Sequence, residues 1–540
     1  MILVGAISAV WYWVIVIGYM FVLIGIGAWT YRYQKRQKTS TDEHDDYWIS
    51  KRRNSALVVG CAIAAGWFLM GFITWAMYNT YMFGIGGISA MVIPWTVLLF
   101  IMVGFVPLVR RFKAISQPQM LQQRFGLGLR VLVSPFNMFC FIIWAAAEIW
   151  TVSLYIAPEF GVEPWVLYFV FAVPVALYMA LGGFHAVINA NLLQFAMGVT
   201  FVTIIFVVMV SEAWSALPAG QSMYDFLGSI TPPGNSEGES ALSWLSLGIP
   251  FAIFSLIALL PGWVIEEDWW LKCQSARSTR AARQGIWANL VYNIIWILAL
   301  PSIIGILGLV LYSPTTGYVE KLEENAYNLM PVFLGDYMPT GLLLVVFCLM
   351  AGHSIATVAT FTNVSALNIS YDVLQPLVYR PRGWNDAQVV WASRIASFLV
   401  VVGTLGVTFL IDLLPRGLWD AYYLSSGVLS ASVGVSVLAM FWKRANYAGA
   451  FAATLVGGVA TLVLYLVEKY VWEYDWPIPL PQTMIDTYYA YAVVGVIIGF
   501  ITLIVVTLLT PKPSQAQLDA IHAEPVDDHA EFFAGVRETY

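Results

Sequence analysis

Apolar stretches of about twenty residues recur along the whole sequence, and a helix of that length spans the roughly 30 Å hydrocarbon core of a bilayer. The first stretch, from Ser8 to Thr30, has basic residues after it and none before it, which is typical of a membrane helix and not of a cleaved signal peptide. Twelve further stretches lie at 56–83, 88–109, 131–157, 165–182, 188–211, 246–270, 286–311, 339–368, 389–411, 419–441, 447–468 and 488–510. The pattern predicts an all-α integral membrane protein with about thirteen transmembrane helices.

The composition excludes several classes of protein. At 60% hydrophobic and 11% charged residues, the chain has too few charges to cover the surface of a water-soluble particle of its size. Its net charge of −6 argues against nucleic acid as a partner. The four cysteines have no metal-ligand spacing, and no catalytic motif such as HExxH or GxSxG is present. We therefore expect neither an enzyme nor a protein with a resident cofactor or metal.

Lysine and arginine are distributed unevenly among the predicted loops. If the N-terminus lies outside, 22 of the 26 Lys and Arg residues fall on the inward side, as the positive-inside rule requires. The sequence thus predicts a multi-pass protein of the plasma (cytoplasmic) membrane with its N-terminus outside and its C-terminus in the cytoplasm. The tail 511–540 carries six acidic and two basic residues, so we expect a solvated extension without a domain of its own.

Two of the predicted helices contain features that interrupt helical structure. In 56–83 small residues precede Gly66-Trp67, and 246–270 contains Pro261-Gly262, where the proline removes a helical hydrogen bond. Each of these helices opens a run of five, as in an inverted-repeat transporter whose solute site lies between the two breaks. The predicted organisation is a leading helix and loop at 1–55, a first repeat at 56–211, an outward loop at 212–245, a second repeat at 246–441, two trailing helices at 442–510 and a cytoplasmic tail at 511–540.

Four strings carry a family resemblance. They are AAGWFLMGF at 64–72, LGGFHAVINANLLQ at 181–194, EEDWWLKCQSARSTRAARQG at 266–285 and FWKRANYAGAFAATLVGG at 441–458. In this order they resemble the solute:sodium symporter family over most of 8–510. The resemblance implies a LeuT-like fold, with a 5+5 inverted repeat, one leading helix and two trailing helices.

The resemblance also implies where a coupling Na⁺ would lie, between backbone carbonyl groups of the broken first core helix and small hydroxyl residues of the eighth. The corresponding positions are Cys61, Ala64, Asn191, Gly352 and His353. Gly352 and His353 carry no hydroxyl group and Asn191 replaces a carboxylate, which removes oxygen ligands that a hard cation prefers. A shift of one turn brings Ser354 and Thr357 to the site instead. The coupling ion is therefore left open between Na⁺, H⁺ and none.

Ionisable groups inside predicted spans are costly in hydrocarbon, so they mark candidate sites. Glu148 lies four residues after Trp144 on one helix face, where the carboxylate and the indole suit an organic cation. Glu148 is alternatively a proton carrier or a structural hydrogen-bonding group. His353 is either a residue whose protonation supplies a positive charge at the ion position, or a neutral residue that hydrogen-bonds to a neighbouring helix.

The remaining site candidates follow the second interruption. Trp263 resembles the family's aromatic residue at the substrate gate, and Glu266 and Glu267 stand where sugar-transporting relatives have amides. These acids disfavour a sugar and favour a cationic or zwitterionic solute. The predicted substrate-binding residues are Gly66, Trp67, Trp144, Glu148, Trp263, Glu266 and Glu267.

The leading hypothesis is a secondary active transporter that moves a small organic solute, such as an amine, a betaine or an amino acid, by alternating access. Its partners would be that solute and membrane lipid. The alternative is a transporter-like sensor or scaffold subunit of a membrane complex without net transport. The sequence contains no motif that indicates a protein partner.

Overall fold

The computed structural model describes residues 9–236, 238–313, 322, 326–411, 413–414, 417–481, 484–485 and 490–538. These residues form helices and loops without any β-strand, and eleven of the helical segments are long and apolar enough to cross a membrane. The prediction of an all-α membrane protein is therefore confirmed.

The helices are connected mostly by short loops. In chain order they are α1 Ala9–Lys35, α2 Ser40–Ile49, α3 Ala56–Trp67, α4 Met70–Phe83, α5 Ile88–Arg111, α6 Gln117–Phe125, α7 Leu127–Phe160, α8 Pro164–Ser215, α9 Met223–Ser229, α10 Gly248–Val264, α11 Glu267–Ser275, α12 Thr279–Tyr292, α13 Leu300–Leu311, α14 Leu329–Tyr337, α15 Thr340–Leu367, α16 Asp386–Ile411, α17 Leu418–Leu429, α18 Val435–Ala439, α19 Tyr447–Tyr470, α20 Ala490–Leu509, α21 Gln515–His522 and α22 His529–Glu538. Three π-helical stretches, Asn293–Ala299, Asn368–Tyr379 and Ser430–Gly434, join α12 to α13, extend α15 and join α17 to α18.

The eleven segments differ from the thirteen predicted because, in two places, successive predicted stretches follow each other with only one or a few residues of different geometry between them. The joined segments are Met70–Arg111, with 42 residues, and Pro164–Ser215, with 52. At a rise of 1.5 Å per residue, 52 residues would extend about 78 Å, more than twice the thickness of a hydrocarbon core. The long segment departs from helical geometry at Gly183, where φ is 57° and ψ is −149°. A Cβ atom at Gly183 would lie 2.7 Å from Tyr47, so only glycine fits this close approach.

The first predicted interruption is present just after the predicted position. α3 ends at Trp67 and α4 begins at Met70, and the two residues between them leave helical geometry, with ψ of 50° at Phe68 and 133° at Leu69. Small residues and Gly66 make the end of α3 narrow, which lets neighbouring helices approach the exposed backbone groups.

The second interruption is not at Pro261-Gly262, where it was predicted. α10 continues through both residues to Val264, and the chain leaves helical geometry at Ile265 and Glu266. The helix tolerates the proline because Gly262 N donates a hydrogen bond to Ser430 Oγ at 2.9 Å, so a neighbouring helix supplies an acceptor beside the proline.

The last part of the C-terminal tail, from Val526 onward, packs against the rest of the chain, so the tail is not solvated throughout as its composition predicted. α22 buries Phe532 completely, and the Arg52 guanidinium lies 3.9 Å from the centre of the Phe532 ring. Arg52 and Arg110 are both buried and donate hydrogen bonds to the carbonyl group of Val526, at 2.8 and 3.4 Å. Arg110 also pairs with Asp527 at 2.8 Å. An acidic residue of the tail therefore neutralises a buried arginine at the end of α5.

Candidate functional site

The two helix breaks face each other. Trp67, the last residue of α3, donates its indole N–H to Asp268 Oδ1 in α11 at 3.0 Å. Phe72 in α4 lies 6.0 Å from Trp263 near the end of α10, between ring centroids. The first and second interruptions thus meet, as the arrangement of a transporter site requires.

Five aromatic side chains converge between the breaks, and we call them the aromatic box: Trp67, Phe72, Trp95, Trp144 and Trp263. They come from α3, α4, α5, α7 and α10, and each is at most 1% exposed. Phe72 lies 4.9 Å from Trp95 and 6.4 Å from Trp144, while Trp95 lies 5.1 Å from Trp67 and 4.9 Å from Trp263. The sequence predicted Trp67, Trp144 and Trp263 for the site but not Trp95 or Phe72.

The four indole N–H groups of the box all bond to polar groups of surrounding helices. Their acceptors are Asp268 Oδ1 for Trp67, Asn293 Oδ1 for Trp95, Ser425 Oγ for Trp144 and Ser426 Oγ for Trp263, at 2.9–3.3 Å. These bonds satisfy the only polar atom of each indole and fix the orientation of each ring. The rings therefore meet one another through π-faces and edges, which is the surface that attracts organic cations.

A small, half-open pocket lies on one side of the box. It is lined by Gly71, Trp75, Tyr327, Leu418, Tyr422 and Tyr423. Tyr422 stacks on Phe72, with ring centroids 5.2 Å apart and an interplanar angle of 22°. This stacked pair separates the pocket from the tryptophans of the box.

Glu148 lies beside the box and caps α4. Its Oε2 atom accepts a hydrogen bond of 2.8 Å from Met70 N, the first backbone N–H of α4. The side chain is completely buried, and Gly71 N and the Ser354 side chain also interact with its carboxyl group. The structure thus places Glu148 one helical turn from Trp144, with its carboxyl group held at the start of α4.

His353 contacts the first break itself. Its Nε2 atom lies 2.6 Å from Phe68 O, and Nδ1 lies 3.0 Å from Gln194 O in α8. Both neighbours are carbonyl oxygens, which only accept hydrogen bonds, so both contacts are hydrogen bonds only when both ring nitrogens carry protons. Gly352, the residue before it, lies against Met197 and Tyr19 and not against α3.

The oxygen-rich position beside α3 is formed by Asn191, which was among the predicted residues, by Thr357, which the one-turn shift brought there, and by Thr360, which was not predicted. Thr357 Oγ1 lies 3.5 Å from Ala65 O, and Asn191 Nδ2 lies 3.4 Å from Ala62 O and 3.3 Å from Thr360 Oγ1. Carbonyl groups one residue after Cys61 and Ala64 therefore face α8 and α15. His353, Thr357 and Thr360 share one face of α15, and Gly352 and His353 lie one to two turns away from this position.

The three acids at the second break have different environments. Glu267 accepts hydrogen bonds from Gln117 N, Asn137 Nδ2 and Asn368 Nδ2, so both of its oxygens bind α6, α7 and the π-helical extension of α15. The Glu267 side chain therefore does not contribute to the aromatic box. Glu266 is completely buried, and neither of its oxygens has a hydrogen-bond partner in the described part of the chain.

Asp268 forms a buried ion pair with Lys272 at 3.2 Å. The Lys272 ammonium reaches the first break, because a Cβ atom built on Gly66 would lie 2.8 Å from Lys272 Nζ and 3.0 Å from Thr360 Oγ1. Asp268 and Lys272 thus belong to a buried network that joins α11 to α3. Among the described residues, no group of three or more His, Cys, Asp or Glu side chains is placed to hold a metal ion.

Comparison with known proteins gives consistent results. A model of the sodium:solute symporter family matches residues 47–457. The sodium/sialic acid symporter NanT of Aliivibrio fischeri is 22% identical over 502 residues, covering 90% of this chain and 91% of the relative. The sodium/pantothenate symporter of Escherichia coli is 20% identical over 459 residues, covering 83% of this chain and 89% of the relative.

Among solved structures, the fold is similar to that of a Na⁺-coupled sialic acid symporter in its substrate-bound outward-open state. The TM-score is 0.69 at 16% sequence identity, and the match covers 94% of this chain and 99% of the other. At this identity the similarity establishes the common fold.

Proposed function

The chain belongs to the sodium:solute symporter family and has its LeuT-like fold, so it is a multi-pass secondary transporter, and we propose that its solute is a small organic molecule with a positive charge. Amines, betaines and amino acids all meet this description. The proposed solute-binding residues are those of the aromatic box together with Glu148.

The observation that carries this proposal is the orientation of the four indoles. Because each N–H is bonded to a surrounding helix, the box offers π-faces and edges but no indole donor to a solute. A sugar needs many hydrogen-bond partners, whereas a quaternary or primary ammonium is attracted by the ring faces by about 0.5–2 kcal/mol per contact. Glu148 adds a buried carboxyl group beside the same rings, and this group is negatively charged when it is ionised.

Alternating access would use both sides of the box. We assign the two repeats to 56–211 and 246–441, with rigid-body rocking of one helical bundle about the breaks. On the predicted outward side, the stacked Phe72 and Tyr422 would have to separate to admit the solute. On the predicted inward side, the bond from Trp67 to Asp268 would have to break to release it.

The oxygen atoms around α3 are the proposed location of a coupling Na⁺. Ala62 O, Ala65 O, the hydroxyl groups of Thr357 and Thr360, and Asn191 Oδ1 are buried oxygens, and Asn191 Oδ1 accepts no hydrogen bond among the described residues. Such a set of neutral oxygens suits a hard monovalent cation. The alternative coupling ion is H⁺, carried by Glu148 or His353.

The solute is tested by thermal stability of the purified protein in detergent. Tetramethylammonium and choline should raise the melting temperature, and glucose should not. Trp263→Leu should weaken the response to tetramethylammonium by at least about threefold, because one cation–π contact is lost. Trp214→Leu is the matched control, since Trp214 is 66% exposed at the end of α8. A response to glucose alone would contradict the proposal.

Transport and its coupling ion are tested in proteoliposomes with labelled choline. Uptake is measured under an inward Na⁺ gradient and, separately, under a pH gradient. Thr360→Val should reduce Na⁺-driven uptake if Na⁺ binds beside α3. Binding of choline without uptake under either gradient would instead favour the sensor or scaffold function.

A further inference from the structure

Each side of the first helix break is occupied by a charged or polar side chain from another helix. At the start of α4, Met70 N donates a hydrogen bond of 2.8 Å to Glu148 Oε2 of α7. At the end of α3, Phe68 O lies 2.6 Å from His353 Nε2 of α15. The acid therefore lies at the helix N-terminus and the base at the helix C-terminus, as the helix dipole favours.

A free helix N-terminus in the middle of a membrane is a binding site for an anion. Its first N–H groups have no intrahelical partner, and discontinuous transporter helices point such ends at anionic groups of a solute. In this chain the carboxylate of Glu148 takes that position. Glu148 is fully buried on the helix α7, so it belongs to the interior of the site and is not a surface group.

We propose that Glu148 fills the anion position of the first helix break, so that the transported solute is an organic cation without a carboxylate group. The inference rests on the proposed function and narrows it, because it removes amino acids and betaines from the solute class. Glu148 is then a specificity residue with two roles: Oε2 closes the helix end, and the carboxylate provides the negative charge that the cation meets.

The exclusion of a carboxylate follows from charge. A solute carboxylate at the start of α4 would lie against Glu148. Two like charges at such a short distance repel each other strongly when both are out of water. The solute carboxylate would also find Met70 N already bonded. An ammonium meets neither obstacle, because it carries the opposite charge and needs no backbone N–H. The same side chain thus attracts one class of solute and rejects the other.

Chemical rescue with acetate tests whether Glu148 fills this position. Glu148→Ala leaves the N-terminus of α4 without its carboxylate, and free acetate should then bind there. We expect acetate to raise the melting temperature of purified, full-length Glu148→Ala by several degrees relative to the same concentration of chloride, because binding to the folded state stabilises it. The wild-type protein should show no such difference.

Two further variants serve as controls. Glu148→Gln retains an oxygen that can accept from Met70 N, so it should gain no response to acetate. Thr151→Ala removes a buried polar group on the same helix whose hydroxyl donates only to Ala147 O, so it should gain none either. Stabilisation of the wild-type protein by acetate, or a folded Glu148→Ala variant without any response, would overturn the inference.

A measurement on the wild-type protein covers the case in which Glu148→Ala does not fold. Choline and glycine betaine share a trimethylammonium group, and only betaine carries a carboxylate. Choline should bind at least about tenfold more tightly, because betaine meets the repulsion from Glu148. Betaine binding as tightly as choline overturns the exclusion but leaves the proposed function standing. Rescue by acetate with no binding of either cation removes the proposed solute class but leaves the role of Glu148 at α4.

Discussion

Removal of the Lys272 ammonium should destabilise the protein through the charge that it leaves behind. Lys272 Nζ lies 3.2 Å from Asp268 Oδ2, and the two side chains are 3% and 0% exposed. Lys272→Met keeps the length and apolar stem of the side chain but leaves Asp268 buried without its cation. Breaking a buried pair in this way costs about 3–5 kcal/mol, much of it the desolvation of the remaining charge. In a chain of this size we expect a fall of at least about 3–5 °C in melting temperature.

A double-mutant cycle separates the pair from the loss of packing. Asp268→Asn combined with Lys272→Met removes both charges, while the asparagine oxygen still accepts from Trp67, so the double variant should be more stable than Lys272→Met alone. Lys113→Met is the matched control, because Lys113 and Glu531 are 2.9 Å apart with side chains 37% and 56% exposed. That exposed pair should contribute less than about 1 kcal/mol. Equal effects of the two lysine substitutions, or simple additivity in the cycle, would refute the reasoning.

Further predictions concern the C-terminal tail and the departure from helical geometry at Gly183 in α8. Burial raises the pKa of Asp527, but hydrogen bonds from Arg110 and Thr279 outweigh burial and hold this pKa below its ordinary value. The contact between Asp527 and Arg110 should therefore be complete above about pH 4 and should weaken as the pH falls through the lowered pKa of Asp527. Hydrogen exchange of residues 523–538 measures this change. Asp527→Asn should raise the exchange rate of these residues at neutral pH, and an unchanged rate would argue against the contact. Gly183→Ala should lower the melting temperature more than Gly161→Ala, because a Cβ atom at Gly183 would strike Tyr47 whereas the space around Gly161 is open. Equal falls in melting temperature would show that only the backbone geometry of the two glycines matters.

The positions of the helices followed from the sequence because the bilayer sets their length and polarity. The first stretch, predicted at Ser8 to Thr30, corresponds to Ala9–Lys35. The number of separate helices was less predictable, because the departure from helical geometry at Gly183 involves a single residue with helix on both sides. An apolar pattern reports that the chain leaves and re-enters the membrane, but not whether the helix is continuous there.

The site was predictable where its geometry is local. Trp144 and Glu148 are four residues apart on one helix, so their common face follows from the helical repeat. Trp95 and Phe72 gave no such signal, since their approach to Trp263 depends on the packing of separate helices. The polar face of α15 was also predictable, but the turn that meets α3 was not. A period of 3.6 residues relates His353 to Thr357 without fixing the height of either in the membrane.

The packing of the tail gives two arginines of the predicted inward side a structural role in the folded protein. The excess of Lys and Arg on one side predicts which side faces the cytoplasm, whatever those residues contact after insertion. Arg52 and Arg110, however, are fully buried and bind the backbone of Val526, so after folding they face neither lipid headgroups nor water. Their charges need a neutralising partner, and the acidic tail supplies one in Asp527. The acidic composition that suggested a solvated tail is thus explained by the surface against which the tail packs.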